Sequence, residues 1–304
     1  MTAINLSLAP DNSSAALFRA WGSAVDGTFG TCGWVQTSDT GQINWVTVGA
    51  PGGANTAMGY SIWRMNDTLQ STKPVFIKME YGSGTATGSP CFWITIGTGS
   101  DGAGNITGIL KSRGQFGVYS TAIASPCNFS GANNRYCFSL WHNSGISYQW
   151  LFLSIERTHD TNGADNSTGL MFFAATQSNG TVPGYSAYLP FTGTVPSAYS
   201  AWNCNITTTN VLETSGSYKN TVAVYPVKCW TPGESGPSSN FVLYQINDIT
   251  PNINLNTISL SLFDANVTAT YYPLLFTSAS SCFNIATHNR GTSGAAISLA
   301  LRYD

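Results

Sequence analysis

The sequence predicts an all-β protein, a β-sandwich or jelly-roll-like fold with one short N-terminal helix over about residues 14–27 packed against it. Three observations carry that expectation. Several short runs alternate apolar and polar residues with period two, as half-buried strands do. Clusters of Gly, Ser, Thr and Asn separate these runs and supply turns. One segment alone has helical spacing, and helices do not alternate with strands, which argues against a parallel α/β plan.

The helix comes first. Asp11-Asn12-Ser13-Ser14 is a set of N-cap types, and Leu17, Trp21, Ala24 and Val25 then recur at helical spacing as far as Gly27–Gly30. Its polar face is thin, so it is expected to pack on a sheet or a partner, with Phe18 and Trp21 as candidate contact residues. Residues 33–37 and 42–48 flank a turn-forming Ser38-Asp39-Thr40-Gly41 and read as a hairpin. Residues 49–57 form a loop containing Pro51-Gly52-Gly53. Strands follow at 60–65, 74–81 and 91–97. In the second, Val75, Ile77, Met79 and Tyr81 fall on one face and Phe76, Lys78 and Glu80 on the other. The third is apolar on both faces and reads as a central strand. More strands are expected at 106–110, 116–119, 136–141, 148–156 and 170–176, with a loop over 157–168.

Residues 181–202 differ in kind. Pro183, Pro190 and Pro196 exclude a central strand, and Tyr185, Tyr188, Tyr199 and Trp202 are interleaved with them. This extended aromatic arm is a candidate contact surface, because Tyr and Trp dominate interface hot spots. Strands resume at 221–227, 241–246, 257–263, 267–272 and 297–303. The chain reads as one β-rich unit over 1–304, which allows a subdivision into 1–115 with the helix and 116–304 with the arm.

Charge is scarce. Asp, Glu, Lys and Arg make up 9% of the chain, against roughly 25% in ordinary soluble domains. No acid occurs from residue 102 to 155, and no charge of either sign from 166 to 212. Long neutral stretches fit either surface that other subunits cover or a polar Ser/Thr/Asn surface that dissolves well without charge. The net charge of −2, with basic residues spread singly, argues against a nucleic-acid partner. No apolar run reaches the roughly 20 residues of a membrane span, and the N-terminus carries no signal-peptide pattern. Of the seven cysteines, Cys32, Cys91, Cys127, Cys137, Cys204, Cys229 and Cys282, none forms a C-x-x-C, so a zinc site is not expected. The odd number leaves at least one as a buried thiol or a bridge to another chain, without saying which.

Motifs for chemistry fail on their context. Gly97-Thr98-Gly99-Ser100-Asp101-Gly102 matches G-x-G-x-x-G, yet no helix opens after it and the next acid after Asp101 is Glu156. A dinucleotide site needs both, so a turn is expected. Residues 160–165 begin like a calcium loop but place Ala164 at a ligand position. His142, His159 and His288 sit in polar segments, and no G-x-S-x-G elbow surrounds a serine. No catalytic residue, cofactor or metal is therefore assigned.

Several segments carry a family resemblance. They are Phe18–Ser23, the run from Trp34 to Val48, Ala54-Asn55-Thr56 with Gly59-Tyr60 and Ile62-Trp63-Arg64, the run from Lys73 to Gly84, Trp93–Asn105, and LSIER at 153–157. In order and spacing they resemble a family of virion structural proteins of tailed bacteriophages, well to about residue 160 and faintly beyond. The resemblance implies a particle component of tail, neck, baseplate or head-decoration type, made in the bacterial cytoplasm and located in the virion. It supplies no catalytic residues, and the cysteines and the Pro/Tyr arm lie outside its pattern. The expected function is a non-enzymatic structural subunit that makes homo-oligomeric contacts and contacts with other virion proteins. A glycan- or receptor-binding β module facing a host surface glycan is the alternative. A polysaccharide depolymerase, which needs two convergent carboxylates, is the third.

Overall fold

The computed structural model describes residues 2–84, 88–117, 125–143, 148–159, 165–178 and 185–188, and beyond these only short strand segments between 199 and 302. In chain order the first elements are β1 Thr2–Leu8, α1 Ala15–Thr31, β2 Val35–Gln36, β3 Thr56–Arg64, β4 Phe76–Ser83, β5 Pro90–Ser100 and β6 Ile106–Gly117. There follow β7 Ser125–Ala132, β8 Arg135–Asn143, β9 Tyr148–His159, β10 Asp165–Ser178, β11 Tyr185–Tyr188 and β12 Tyr199–Ser200. One sheet has the order β2-β3-β4-β5-β6, and a second has β1-β7-β8-β9-β10-β11-β12. Later in the chain, β13 Val224–Pro226, β14 Leu243–Asn247, β15 Ile258–Ser261, β16 Thr268–Leu274 and β19 Ile297–Arg302 form a sheet of order β13-β14-β19-β16-β15. There β17 Phe276–Ser278 pairs with β18 Ser281–Phe283. Pairing among the described strands is antiparallel in all four sheets. The fold is thus all-β with one helix packed on the sheets, as the sequence predicts.

The helix is where the two large sheets meet. Phe18, Trp21, Val25 and Phe29 recur on one stripe of α1 and are buried. Trp21 packs edge-on to Phe92 of β5 at 5.3 Å between centroids, and Phe29 stacks on Tyr136 of β8 at 3.8 Å. Phe92 and Phe138 also touch directly, 6.0 Å apart, so both sheets share one core. Because β1 pairs with β7, that core crosses the junction at 115/116.

The helix begins at the expected cap, where the Ser14 hydroxyl accepts from the Leu17 amide at 3.2 Å. It runs four residues beyond the expected end, to Thr31. The glycines at 27 and 30 do not stop it because Phe29 is fully buried between them and the Thr28 hydroxyl meets the Tyr136 hydroxyl at 2.7 Å. The stop falls at Gly33, whose φ of +93° favours glycine and whose amide donates to the Gly30 carbonyl.

The central strands follow their sequence pattern. Val75, Ile77, Met79 and Tyr81 are all buried, while Phe76, Lys78 and Glu80 are half-buried on the opposite face. β5 is buried on both faces from Pro90 to Gly97. The expected hairpin over 33–48 does not form. Its two arms each lean on β3 instead: the Thr37 amide donates to Ile62 O at 2.9 Å and the Ile43 amide to Tyr60 O at 2.7 Å. Gln42 takes the place of a ladder, donating to Thr37 O at 2.6 Å and accepting from the Ile62 amide at 2.9 Å. The loop expected over 157–168 is shortened, because β9 continues to His159 and β10 starts at Asp165. The two short strands expected at 106–110 and 116–119 are one strand, β6.

Candidate functional site

Buried carboxylates organise the described half of the chain. Asp26 on α1 lies in the core, where Oδ1 accepts from Ser61 Oγ at 2.5 Å, Trp63 Nε1 at 2.8 Å and Tyr81 OH at 2.9 Å. Its Oδ2 accepts from Trp45 Nε1 at 2.8 Å. These four donors are all neutral, so the carboxyl group is held by dipoles rather than by a cation. Burial, with the nearby Asp26 charge, pushes the Tyr81 phenol well above its usual range, so it stays a donor. The arrangement pins Trp45 over the helix. A Cβ at Gly22 would lie 2.3 Å from the Trp45 ring, so the close approach requires glycine there. Arg19 donates to Val46 O at 2.5 Å, and Val46 itself is 79% exposed on the fixed loop.

A second carboxylate ties two loops together at one end of the β2–β6 sheet. Asp39 accepts from Ser100 Oγ at 2.7 and 2.6 Å and from the Gly104 amide at 3.1 Å. Burial alone would raise its carboxyl, but hydrogen bonds from the Ser100 hydroxyl and the Gly104 amide outweigh burial and hold it below the usual range. Asp101 is likewise lowered, by the Asn105 side chain and by the Asn105 and Ala103 amides. Lys78 Nζ donates to Gly104 O at 2.8 Å and sits 4.2 Å over the Tyr60 ring, whose hydroxyl donates to Thr40 O. The G-x-G-x-x-G segment is therefore the end of β5 and the turn into β6, with Gly102 at φ +79° and Gly104 at +96°.

The third acid is Asp67, paired with Arg157 inside the protein. Arg157 also donates to Lys73 O at 2.9 Å, and its amide donates to Asn134 O at 2.9 Å. This pair staples β9 of one sheet to the segment that follows β3 of the other.

The outer face of β3–β6 carries Arg64, Lys78, Glu80 and Arg113. Arg113 on β6 pairs with Glu80 at 2.7 Å and lies 4.5 Å over the Trp93 ring, while Lys78 and Arg64 share the same face. β6 is the edge strand of its sheet, and Thr107, Ile109, Ser112, Arg113 and Gln115 on it are exposed. This face and edge form the candidate contact surface.

Phe18 and Trp21, expected as contact residues, are instead buried in the chain's own core, because they lie on the stripe of α1 that faces the sheets. Tyr185 and Tyr188 fall on β11 and Tyr199 on β12, with their side chains outside the described residues, as is Trp202. Cys32, Cys91 and Cys137 are buried, and burial pushes the Cys32 thiol up to about 12. The side chains of Cys127 and Cys282, and residues 204 and 229, lie outside the description. So do residues 160–164 of the calcium-like loop and His288, while His142 lies on β8 and His159 on β9. Among the described residues, no three His, Cys, Asp or Glu side chains gather as metal ligands, and no helix is long and apolar enough to cross a membrane. The sequence reading missed the roles of Asp26, Asp39 and Asp67. Asp26 had left a signal, a lone acid in the apolar run Ala24–Phe29.

No family model, curated protein or solved structure matches the chain.

Proposed function

We propose that the chain is a non-enzymatic structural subunit of a tailed-phage particle, at the tail, neck or baseplate or decorating the capsid, and that it works through subunit contacts. The observation that carries this reading is where its few acids go. Asp26, Asp39, Asp67 and Glu156 are buried and spent on holding helix, loops and sheets together. Among the described residues, the outside then presents the edge strand β6 and a sheet face of mixed charge, which suits contact rather than bond chemistry. The neighbouring carboxylates Asp39 and Asp101 both have lowered pKa values, so neither is suited to be a proton donor at neutral pH. The resemblance of the first 160 residues to virion proteins gives the contact its setting. Peptide mass fingerprinting and cryo-EM of purified particles test the proposal. It expects the chain in stoichiometric copies within an ordered layer, and absence from the particle sinks it.

A further inference from the structure

The edges of the two sheets that share the core are guarded unequally. An edge strand leaves its outer N–H and C=O groups open to another strand, and proteins blunt such edges by making them short, bulged or charged. In the β2–β6 sheet both edges are blunted. β2 is two residues long. β6 has 12 residues, but its register with β5 shifts twice, between Ile94 and Ile96 and again between Ile96 and Gly97. Such bulges twist an edge away from a flat partner. Gly108 within β6 has a φ of +57°, which is not extended, and the Arg113 side chain, paired with Glu80, is 48% exposed. At one end of the other sheet, β1 has none of these devices. Thr2–Leu8 contains no charge, proline or glycine. It runs in register with β7 from Thr2↔Gly131 to Leu8↔Ser125 without a shift, and among the described residues β7 is its one strand partner. Alternate residues of an antiparallel strand turn their N–H and C=O groups to opposite sides, so about three or four residues of β1 present them away from β7.

Register selects what fits this edge. Ile4 and Leu6 pack on the core and Leu8 is buried in it, so the even-numbered residues mark the core face. An added strand must bring its own apolar residues to that same face, because a slip of one residue reverses every side chain. A second β1, laid antiparallel and centred on Asn5, does so. It sets Ile4 against Leu6 on both sides of the centre, Ala3 against Ser7 and Thr2 against Leu8, and it opposes no like charges. Centring on Ile4 would leave Ser7 and Leu8 without strand partners, and centring on Leu6 would leave Thr2 and Ala3 so. Building on the subunit reading above, on which it rests, we infer that two copies of the chain join through β1, antiparallel about a twofold axis at Asn5, so that one sheet runs through both. The contact is isologous: each copy covers the other's edge, and the pair is closed.

The full chain at about 20 µM, followed by sedimentation and native mass measurement, is expected to be dimeric. In the inferred register position 5 lies opposite itself, at the Cα separation of about 4.5–5.5 Å found for directly opposed antiparallel residues, which a disulfide can span. Under mild oxidation the Asn5→Cys variant is therefore expected to give a covalent dimer whose digest shows position 5 of one copy joined to position 5 of the other. Asn5→Lys and Asn5→Asp each oppose like charges and are each expected to weaken the dimer about fivefold, whereas their equimolar mixture restores it. Circular dichroism and unfolding midpoints show whether each charged variant folds; the wild-type mass and the position-5 cross-link decide if one does not. A chain that stays monomeric, a dimer without the position-5 cross-link, or weakening by both charges that mixing does not reverse each overturn the β1 pair. The particle decides the subunit reading separately. A monomer present in it leaves that reading standing without the pair, and a cross-linked dimer absent from it leaves the pair without that reading.

Discussion

Single residues decide this core because a charge is buried in it. Asp26 stabilises donors from four residues, and the Asp26→Ala change leaves the indoles of Trp45 and Trp63 and the hydroxyls of Ser61 and Tyr81 without that acceptor. Each orphaned buried donor costs about 1–3 kcal/mol. A loss of at least about 3 kcal/mol in urea unfolding is therefore expected, and a loss under about 1 kcal/mol would show that water replaces the carboxylate. Gly22→Ala acts on the same cluster from the other side. Its new methyl would meet the Trp45 ring, so about 1–3 kcal/mol should be lost, along with the fluorescence signature of the packed indole. Little of this is legible in sequence. A lone acid in an apolar run announces burial, but its donors lie 19 to 55 residues away, and pattern reading does not reach across strands.

Pairs of elements show where local pattern suffices and where it fails. The alternation in β4 and the two-sided burial of β5 were legible because a strand's faces are set by its own sequence. The hairpin expected at 33–48 failed because Gln42 and Asp39 offered the backbone partners on β3 and in the β5–β6 turn that outweighed local turn preference. Asp39 makes that tie depend on acidity. Its folded pKa is depressed, so its contribution is full above the ordinary carboxylate range near about 4 and is lost as pH falls through the lower folded value. Hydrogen exchange at the Gly104 amide should stay slow at neutral pH, after correction for intrinsic rates. It should quicken about tenfold in acid, and Asp39→Asn should show the quicker rate at neutral pH. A Gly104 amide indifferent to both would mean that Thr40 and Lys78 hold the turn alone. The Asp67–Arg157 staple behaves differently. Arg157→Met leaves a buried carboxylate and should cost about 3–5 kcal/mol, whereas the double variant Asp67→Leu/Arg157→Met should recover most of it. Equal losses in the two variants would assign the effect to the Lys73 carbonyl instead.

Across the whole molecule, class and layering were legible, while connection between sheets was not. Strand-rich composition and one helix fixed an all-β plan, but neither β1 nor β7 stood out, since Thr2–Leu8 is short and Ser125–Ala132 mixes Ser, Pro, Asn and Gly. The candidate surface was legible only as scarcity of charge; that Arg64, Lys78, Glu80 and Arg113 share one face required the registers. The pairing of β1 with β7 has a consequence in time. Thr2 sits opposite Gly131, so β1 cannot close its ladder until β7 has left the ribosome. At about 5–20 residues per second the intervening chain takes about 6–25 s to synthesise. For that interval Ile4, Leu6 and Leu8, apolar side chains destined for the core, are in water beside a nascent chain. Folding of the shared core is thus gated by translation, and slowing synthesis between β1 and β7 lengthens the window in which β1 can be captured by a chaperone or by another nascent copy.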